Sequence, residues 1–255
     1  MSRLPGWLAV CCALALAGCP ARVGPLVPWR DVTAEMLLSS VESRREATRS
    51  LRARARLRSG LAGVWAREAV VVQRPRGVRV DVLSPFGLAL ALGTDGVVLW
   101  AYPPHEGIRY EGPATPENLA RFLGASVQVD DLVDILLGVP PARAPTAPPT
   151  LQVADDAYLV SFTHVGGIQR LWFAGDTLEL RRVEEQAAEE IVVRLRFDDY
   201  RAGFPHTIDV EVPRTGAEAN LRYGQMEING PIDAMIFAPP PARRTLPIES
   251  VTLTR

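Results

Sequence analysis

The chain has 255 residues, of which 47% are hydrophobic and 22% charged, a composition that supports a folded core and excludes a disordered chain. Its formal net charge is −1, so it has no global basic field for binding nucleic acid. All 28 basic residues are arginine, and the lack of lysine excludes a Walker A loop, a pyridoxal-phosphate Schiff base and a lysine general base.

The N-terminal residues 1–18 predict a secretory signal peptide. Arg3 supplies a positive n-region, and residues 7–16 form an apolar run that is too short for a transmembrane helix. The run ends in Leu16-Ala17-Gly18-Cys19, which resembles the lipobox of bacterial lipoproteins. This resemblance implies cleavage before Cys19 and attachment of diacylglycerol to its sulfur. The alternatives are an ordinary signal peptide with an unrelated cysteine, or a buried helix.

A lipidated Cys19 implies a membrane anchor, because two or three acyl chains hold a protein at a bilayer essentially permanently. Residues 19–32 contain several prolines and are interpreted as the lipidated N-terminus and an extended tether. Pro20 follows the cysteine, with no Asp at that position. By resemblance to enterobacterial sorting, this implies the periplasmic face of the outer membrane.

After the tether, the pattern predicts one helix and then mostly strands. Thr33 is a candidate N-cap for a helix that continues to about Thr48, and Arg52, Arg54, Arg56 and Arg58 then alternate with apolar residues as in a half-buried strand. Thr115 and Asp130 are candidate caps of two further short helices. Eleven strand-like runs are predicted, at residues 51–58, 65–73, 78–83, 87–92, 97–102, 157–163, 168–174, 177–183, 190–197, 207–212 and 219–228.

The short spacing of these runs leaves no room for crossover helices, so we expect a meandering antiparallel sheet. The fold class predicted is mainly β with a few helices, in one large, strongly curved sheet. Its domain is expected to span residues 33–245, with a Pro-rich insert at 139–150 and a C-terminal tail at 246–255.

No motif for catalysis or metal binding stands out, so we expect a protein that is not an enzyme and has no cofactor. His105, His164 and His206 lack metal-ligand spacing and are interpreted as surface or turn residues. Acidic doublets such as Glu184-Glu185 are interpreted as neighbours of turns and caps rather than as paired catalytic carboxylates. We assign no catalytic residue and no metal ligand.

The segment 78–90 runs from a strand through Pro85-Phe86-Gly87 into the next strand, and it resembles the LolB family of outer-membrane lipoproteins. Three further motifs follow in the same order as in that family. They are the ends of two short helices, at residues 119–124 and 132–140, and the sequence Phe237-Ala238-Pro239-Pro240. The resemblance covers roughly residues 33–245. It implies an incomplete, open antiparallel barrel of about eleven strands, as in LolA and LolB, with a helical lid over an apolar cavity.

The resemblance also implies a function, namely reception of acylated lipoproteins from a periplasmic LolA-like carrier and their insertion into the outer membrane. Pro85, Phe86 and Gly87 would form the membrane-insertion loop, and we expect a monomer that binds no nucleic acid. An apolar cavity suffices to bind acyl chains. Its candidate lining residues are Trp65, Val80, Val82, Leu90, Trp100, Leu132, Leu136, Trp172 and Phe173.

Two alternatives stay open at this point. The first is a module of the same fold that binds another lipid or a peptide, or has a structural or assembly role in the envelope, without trafficking. The second is a hydrolase on the same scaffold. The arginine ladder at Arg52, Arg54, Arg56 and Arg58 is either a solvated face or a contact for lipid headgroups or an acidic partner.

Overall fold

The computed structural model describes residues 31–59, 65–154 and 156–251. The predicted signal peptide, Cys19 and most of the tether lie outside the described residues. Three α-helices are present in these ranges: α1 (Ala34–Ala47), α2 (Pro116–Leu123) and α3 (Val129–Leu136). The strands are β1 (Ser50–Ser59), β2 (Trp65–Gln73), β3 (Gly77–Ser84), β4 (Gly87–Thr94), β5 (Val98–Tyr102), β6 (Ile108–Pro113), β7 (Thr150–Ala154), β8 (Ala157–His164), β9 (Gly167–Ala174), β10 (Leu180–Ala187), β11 (Glu190–Arg201), β12 (Phe204–Val212), β13 (Ala217–Ile228) and β14 (Arg244–Pro247).

All fourteen described strands belong to one open sheet in the order β14-β6-β5-β4-β3-β2-β1-β13-β12-β11-β10-β9-β8-β7. Neighbouring strands are antiparallel, except that β14 pairs parallel to β6. The prediction of a mainly β fold with one open antiparallel sheet and a few helices is therefore confirmed. The strand order makes β1 the junction between an N-terminal wall, β2–β6, and a C-terminal wall, β7–β13.

Local signals set the ends of the first two helices. The Thr33 hydroxyl accepts a hydrogen bond from the Met36 backbone nitrogen at 3.2 Å, and Thr115 caps α2 in the same way. Pro116 opens α2, and Gly124 ends it with a left-handed φ of 72°. The cap predicted for α3 was wrong, because that helix begins at Val129 after Gln128, which makes no side-chain capping bond.

The two faces of the sheet differ in what covers them. On the inner face, Leu51, Ala53 and Ala55 of β1 are buried in a hydrophobic core that includes residues of all three helices. The alternating side chains Arg52, Arg54, Arg56 and Arg58 point outward and are exposed, as the period of two predicted. The helices therefore form a layer on the inner face only.

The C-terminal segment is part of the domain. A 3₁₀ turn at Ala234–Phe237 packs on the outer face of β3, after which β14 pairs with the edge strand β6. Ile248 then returns to the hydrophobic core and is completely buried. The tail boundary predicted at residue 245 thus falls inside a strand.

Three strands were missed, and one was displaced. Strands β6 and β14 end at proline, and β7 begins directly after Pro149. Each of these strands has only four to six residues, so its apolar pattern is too short to stand out in the sequence. The strand predicted at 177–183 begins instead at Leu180, because Thr177 and Leu178 belong to the preceding turn. The Pro-rich insert is irregular up to Thr150, as predicted, but Val139, Pro140 and Pro141 are buried.

Candidate functional site

The inner face of the N-terminal wall carries apolar side chains that the helices cover only partly. Val80 pairs with Leu92 and Val82 pairs with Leu90 across β3 and β4, so these four side chains lie on one face. All four are half-buried, and Val80, Leu90 and Leu92 pack against the hydrophobic core. This surface is where the sequence predicted a cavity lining, and Val80, Val82 and Leu90 were among the residues named.

The lid predicted over this face corresponds to α2 and α3. Leu132 and Leu136 of α3 are half-buried and pack against the core, while Val133 is completely buried. The Tyr223 hydroxyl donates a hydrogen bond to the Leu136 carbonyl oxygen at 2.8 Å and so ties the end of α3 to β13. The structure thus brings Leu132 and Leu136 to the same core as Val80 and Leu90.

Trp100 was wrongly predicted to line the cavity. It pairs with Gly93, which in turn pairs with Arg79, so Trp100 faces outward with Arg79 rather than inward with Val80. The indole Nε1 donates to the Phe237 carbonyl oxygen at 2.8 Å, and the Arg79 guanidinium lies 5.6 Å from the ring centre. The ring is fully buried because the C-terminal segment covers it.

Trp172 and Phe173 cannot both face inward, because they are consecutive residues of one strand. Phe173 is 1% exposed and belongs to the core, so it faces inward, and its role in lining a cavity stays a prediction. Trp172 lies on the outer face, where the Arg182 guanidinium stacks 4.6 Å from its ring centre, so its assignment to the cavity was wrong. Trp65 begins β2, but its side chain lies outside the described residues.

The turn between β3 and β4 presents Phe86 to solvent. The Phe86 side chain is 100% exposed, and Leu83 and Leu88 beside it are 42% and 38% exposed. The Ser84 hydroxyl accepts from the Phe86 backbone nitrogen at 3.2 Å and donates to the Gly87 carbonyl oxygen at 3.0 Å, which fixes the turn. Gly87 has a φ of 118°, a conformation that favours glycine. The backbone of the turn therefore directs Phe86 away from the core.

A second apolar tip lies at the same end of the sheet. Strands β3 and β8 run in the same direction as β1 through the antiparallel order, so the turns that follow them lie at one end. Val165, in the turn after β8, is 97% exposed. We call this end of the sheet, with the turns at Phe86 and Val165, the Phe86 end.

A cavity of about 300 Å³ lies beside the lid, and its lining is charged as well as apolar. The residues around it are Pro116, Glu117, Ser126, Val127, Gln128, Asp131, Ile135, Pro141, Arg143, Glu185 and Val193. Arg143 donates to both Asp131 carboxylate oxygens at 2.8 Å, and its Nε lies 3.5 Å from Glu185. None of the residues predicted from the sequence lines this cavity, and its charges suit a polar group better than an alkyl chain.

Glu185 is the most perturbed carboxylate beside this cavity. Burial raises the pKa of Glu185, although Arg143, a hydrogen bond from Gln169 and His164 favour its ionised form. The His164 Nε2 lies 3.2 Å from Glu185, and the histidine side chain is only 9% exposed, so the interpretation of His164 as a plain surface or turn residue was wrong. The Glu184-Glu185 doublet lies within β10, not beside a cap, and its two carboxylates point to opposite faces.

The described residues contain neither a membrane-spanning helix nor a metal-binding cluster. No helix in the described ranges is long and apolar enough to cross a membrane. Within those same ranges, no group of three or more His, Cys, Asp or Glu side chains could hold a metal ion.

The sheet and its inner helices define an open, LolA-like fold. The chain is similar to a LolA superfamily protein from Nitrosomonas europaea, at a TM-score of 0.53 and 16% identity, covering 82% of this chain and 98% of that one. It is also similar to a putative outer membrane lipoprotein-sorting protein domain from Vibrio parahaemolyticus, at a TM-score of 0.52 and 14% identity. The match covers 81% of this chain and 97% of that one. A DUF1329 family protein from Desulfovibrio piger matches at a TM-score of 0.52 and 13% identity, covering 80% of this chain and 95% of that one. No protein-family model and no curated protein sequence matches the chain.

Proposed function

We propose that this protein is an outer-membrane lipoprotein that binds acyl chains on the inner face of its sheet and takes part in the reception and insertion of lipoproteins. It acts by binding and release, without covalent chemistry, and is not an enzyme. Its anchor is the lipid on Cys19, and its place is the periplasmic face of the outer membrane. Its partners are acylated lipoproteins and a LolA-like carrier.

The exposure of Phe86 is the observation that carries this proposal. A fully exposed phenylalanine leaves a large apolar surface in water, and Leu83 and Leu88 extend that surface. Insertion of the ring into a bilayer removes this surface from water, and burial of one such side chain is worth about 1.5–3 kcal/mol. The hydrogen-bonded turn favours this use, because it already presents the Phe86 ring to solvent before insertion.

The half-buried inner face supports the binding step. Val80, Val82, Leu90 and Leu92 offer continuous apolar surface, which is the lining that an acyl chain needs. The lipobox at Cys19 supports the envelope location, as does the likeness in fold to a protein named for lipoprotein sorting.

The test compares Phe86→Glu with Val97→Glu. Val97 is also an apolar turn residue and is 72% exposed, but it follows β4 at the opposite end of the sheet. The assay loads each full-length protein with a fluorescent triacylated lipoprotein and measures loading and then transfer into vesicles of outer-membrane lipid. We expect Phe86→Glu to load normally and to transfer roughly 10- to 150-fold more slowly, from the burial energy of one phenylalanine.

Val97→Glu should load and transfer like the native protein. Equal transfer by Phe86→Glu and the native protein would contradict the insertion role of the loop. Failure of the native protein to load the triacylated lipoprotein would contradict the binding role, and would favour a structural module with the same fold.

A further inference from the structure

The outer face of β1 carries an unpartnered row of positive charge, made up of Arg52, Arg54, Arg56 and Arg58, which we call the arginine row. All four side chains are exposed, and within the described part of the chain none of them forms an ion pair or a side-chain hydrogen bond. Alternate residues of a strand are about 6.6–6.8 Å apart, so the row extends over about 20 Å.

The neighbours of the row do not neutralise it. On β2, Val71 lies opposite Arg52 and Ala69 lies opposite Arg54. On β13, Asn220 lies opposite Arg58 and Arg222 lies opposite Arg56, which adds a further positive charge beside the row. Glu227, opposite Arg52, is the one acid directly across from the row among the described residues.

The outer face of the C-terminal wall is arranged differently. Arg194 Nε lies 3.1 Å from Glu184, and its Nη1 lies 2.9 Å from Glu211 on β12. Arg182 also pairs with Glu184. Arg182 and Arg194 on this wall therefore pair with acids of the same face, whereas no member of the arginine row forms an ion pair with a described residue. Like charges repel along the row, and a negatively charged partner from outside the fold would relieve this repulsion.

We propose that the arginine row binds an extended, acidic polypeptide segment of a partner protein. Carboxylates on alternate residues of an extended chain repeat at the same spacing as the arginines, which allows four ion pairs in register. The tether of this chain, residues 19–32, carries two arginines and one aspartate and so does not supply the missing negative charge.

The direction of the row argues against a lipid surface as the partner. The row follows β1, whose C-terminal end, at Arg58, points toward the Phe86 end of the sheet. If the Phe86 turn enters the bilayer, as the proposed function states, the row leads away from the membrane toward Arg52. A planar layer of headgroups would then contact only Arg58, the arginine nearest the membrane. An acidic protein segment can contact all four arginines.

The test uses a defined acidic probe, a fluorescent peptide of six Glu-Thr repeats, with the Gln-Thr peptide as its neutral counterpart. The full-length lipidated protein is held in nanodiscs of neutral lipid, and peptide binding is followed by fluorescence anisotropy at low and high salt. The variant carries Arg52→Gln, Arg54→Gln, Arg56→Gln and Arg58→Gln. The matched control changes four exposed arginines on other parts of the surface to glutamine, namely Arg121, Arg181, Arg201 and Arg214.

We expect the Glu-Thr peptide to bind the native protein and the control, and to bind the row variant at least about tenfold more weakly, with binding that weakens as salt rises. Equal losses in the row variant and the control would overturn the proposal, because net charge alone would then explain binding. Equal binding of the Gln-Thr peptide would overturn it as well.

A separate experiment tests anionic lipid as the alternative partner of the arginine row. Replacing part of the neutral lipid by phosphatidylglycerol should leave peptide binding by the native protein unchanged, whereas occlusion of the row by anionic lipid would abolish it and overturn the choice of a protein partner. Phe86→Glu should retain peptide binding, and the row variant should retain loading of the triacylated lipoprotein. These two readouts separate failure of this inference from failure of the proposed function.

Discussion

Asp134 holds the lid helix α3 against three other parts of the chain. Arg74 of the turn after β2 donates to its Oδ1 at 2.7 Å, and Arg45 of α1 pairs with its Oδ2. The Ala142 backbone nitrogen, in the Pro-rich insert, donates to Oδ2 at 3.0 Å. The Asp134 side chain is 5% exposed, so the carboxylate is held by protein donors rather than by water.

Replacing Asp134 by asparagine keeps the shape of the side chain and removes its charge. Removing one partner of a buried ion pair costs about 3–5 kcal/mol, because the remaining charge stays buried without compensation. The Arg45 and Arg74 side chains are 12% and 23% exposed and recover part of their hydration, and the asparagine oxygen still accepts one bond. We therefore expect the free energy of unfolding to fall by about 2–4 kcal/mol, or about 5–15 °C in Tm.

The matched control is Asp130→Asn on the same helix. Asp130 pairs with Arg76 through two contacts of 2.8 Å, but both side chains are more than half exposed, at 56% and 52%. Such exposed pairs contribute about 0–1 kcal/mol. Urea unfolding followed by circular dichroism measures both variants. If Asp134→Asn destabilises the protein no more than Asp130→Asn does, burial does not increase the contribution of the Asp134 contacts to the free energy of unfolding.

Two further predictions concern the interior. Burial raises the pKa of Glu185 above its ordinary value of 4.5, so above pH 4.5 the folded protein binds more protons than the unfolded chain. The free energy of unfolding should therefore fall as the pH rises from 4.5 to the raised pKa. Glu185→Gln should flatten this slope in urea unfolding across mildly acidic pH, and an unchanged slope would contradict the assignment. A Cβ on Gly93 would lie 2.3 Å from the Trp100 ring, so Gly93→Ala should cost about 1–3 kcal/mol and shift the tryptophan fluorescence. Gly224→Ala, whose Cβ would lie 3.4 Å from its nearest neighbour, should be nearly neutral, and equal costs would refute the packing argument.

Local patterns predicted the elements whose structure depends on local physics. The alternation of arginine with apolar residues gave β1 and its two faces, since the period of a strand is two whatever its neighbours are. Thr33 and Thr115 marked helix starts because a capping hydroxyl satisfies a backbone nitrogen three residues away. The projection of Phe86 from the sheet was implied by the resemblance to the LolB family rather than by a local pattern, and its side chain is fully exposed.

The faces of Trp100 and Trp172 could not be predicted in this way. In β5, Leu99, Trp100 and Ala101 are all buried, because the C-terminal segment covers the outer face there while the core covers the inner one. A strand covered on both sides shows no alternation. Trp172 is instead shielded by Arg182 of the next strand, a pairing that depends on the register between β9 and β10.

The site beside the lid was missed for a related reason. His164, Glu185 and Arg143 are far apart in sequence and meet only when β8, β10 and the Pro-rich insert come together. The signal that could have found them is the position of Glu185 in a strand, where adjacent acids must face opposite sides and one of them must enter the interior.

The pairing of β14 with β6 has a consequence for the order in which the molecule is completed. These strands meet across more than half of the chain, so β6 keeps a bare edge until residues 244–247 have emerged. A bare edge can recruit any extended peptide. Because a chain is synthesised from its N-terminus, the closing segment is the last of the sheet to become available. Until then, we expect the incomplete sheet to need protection from pairing with other chains.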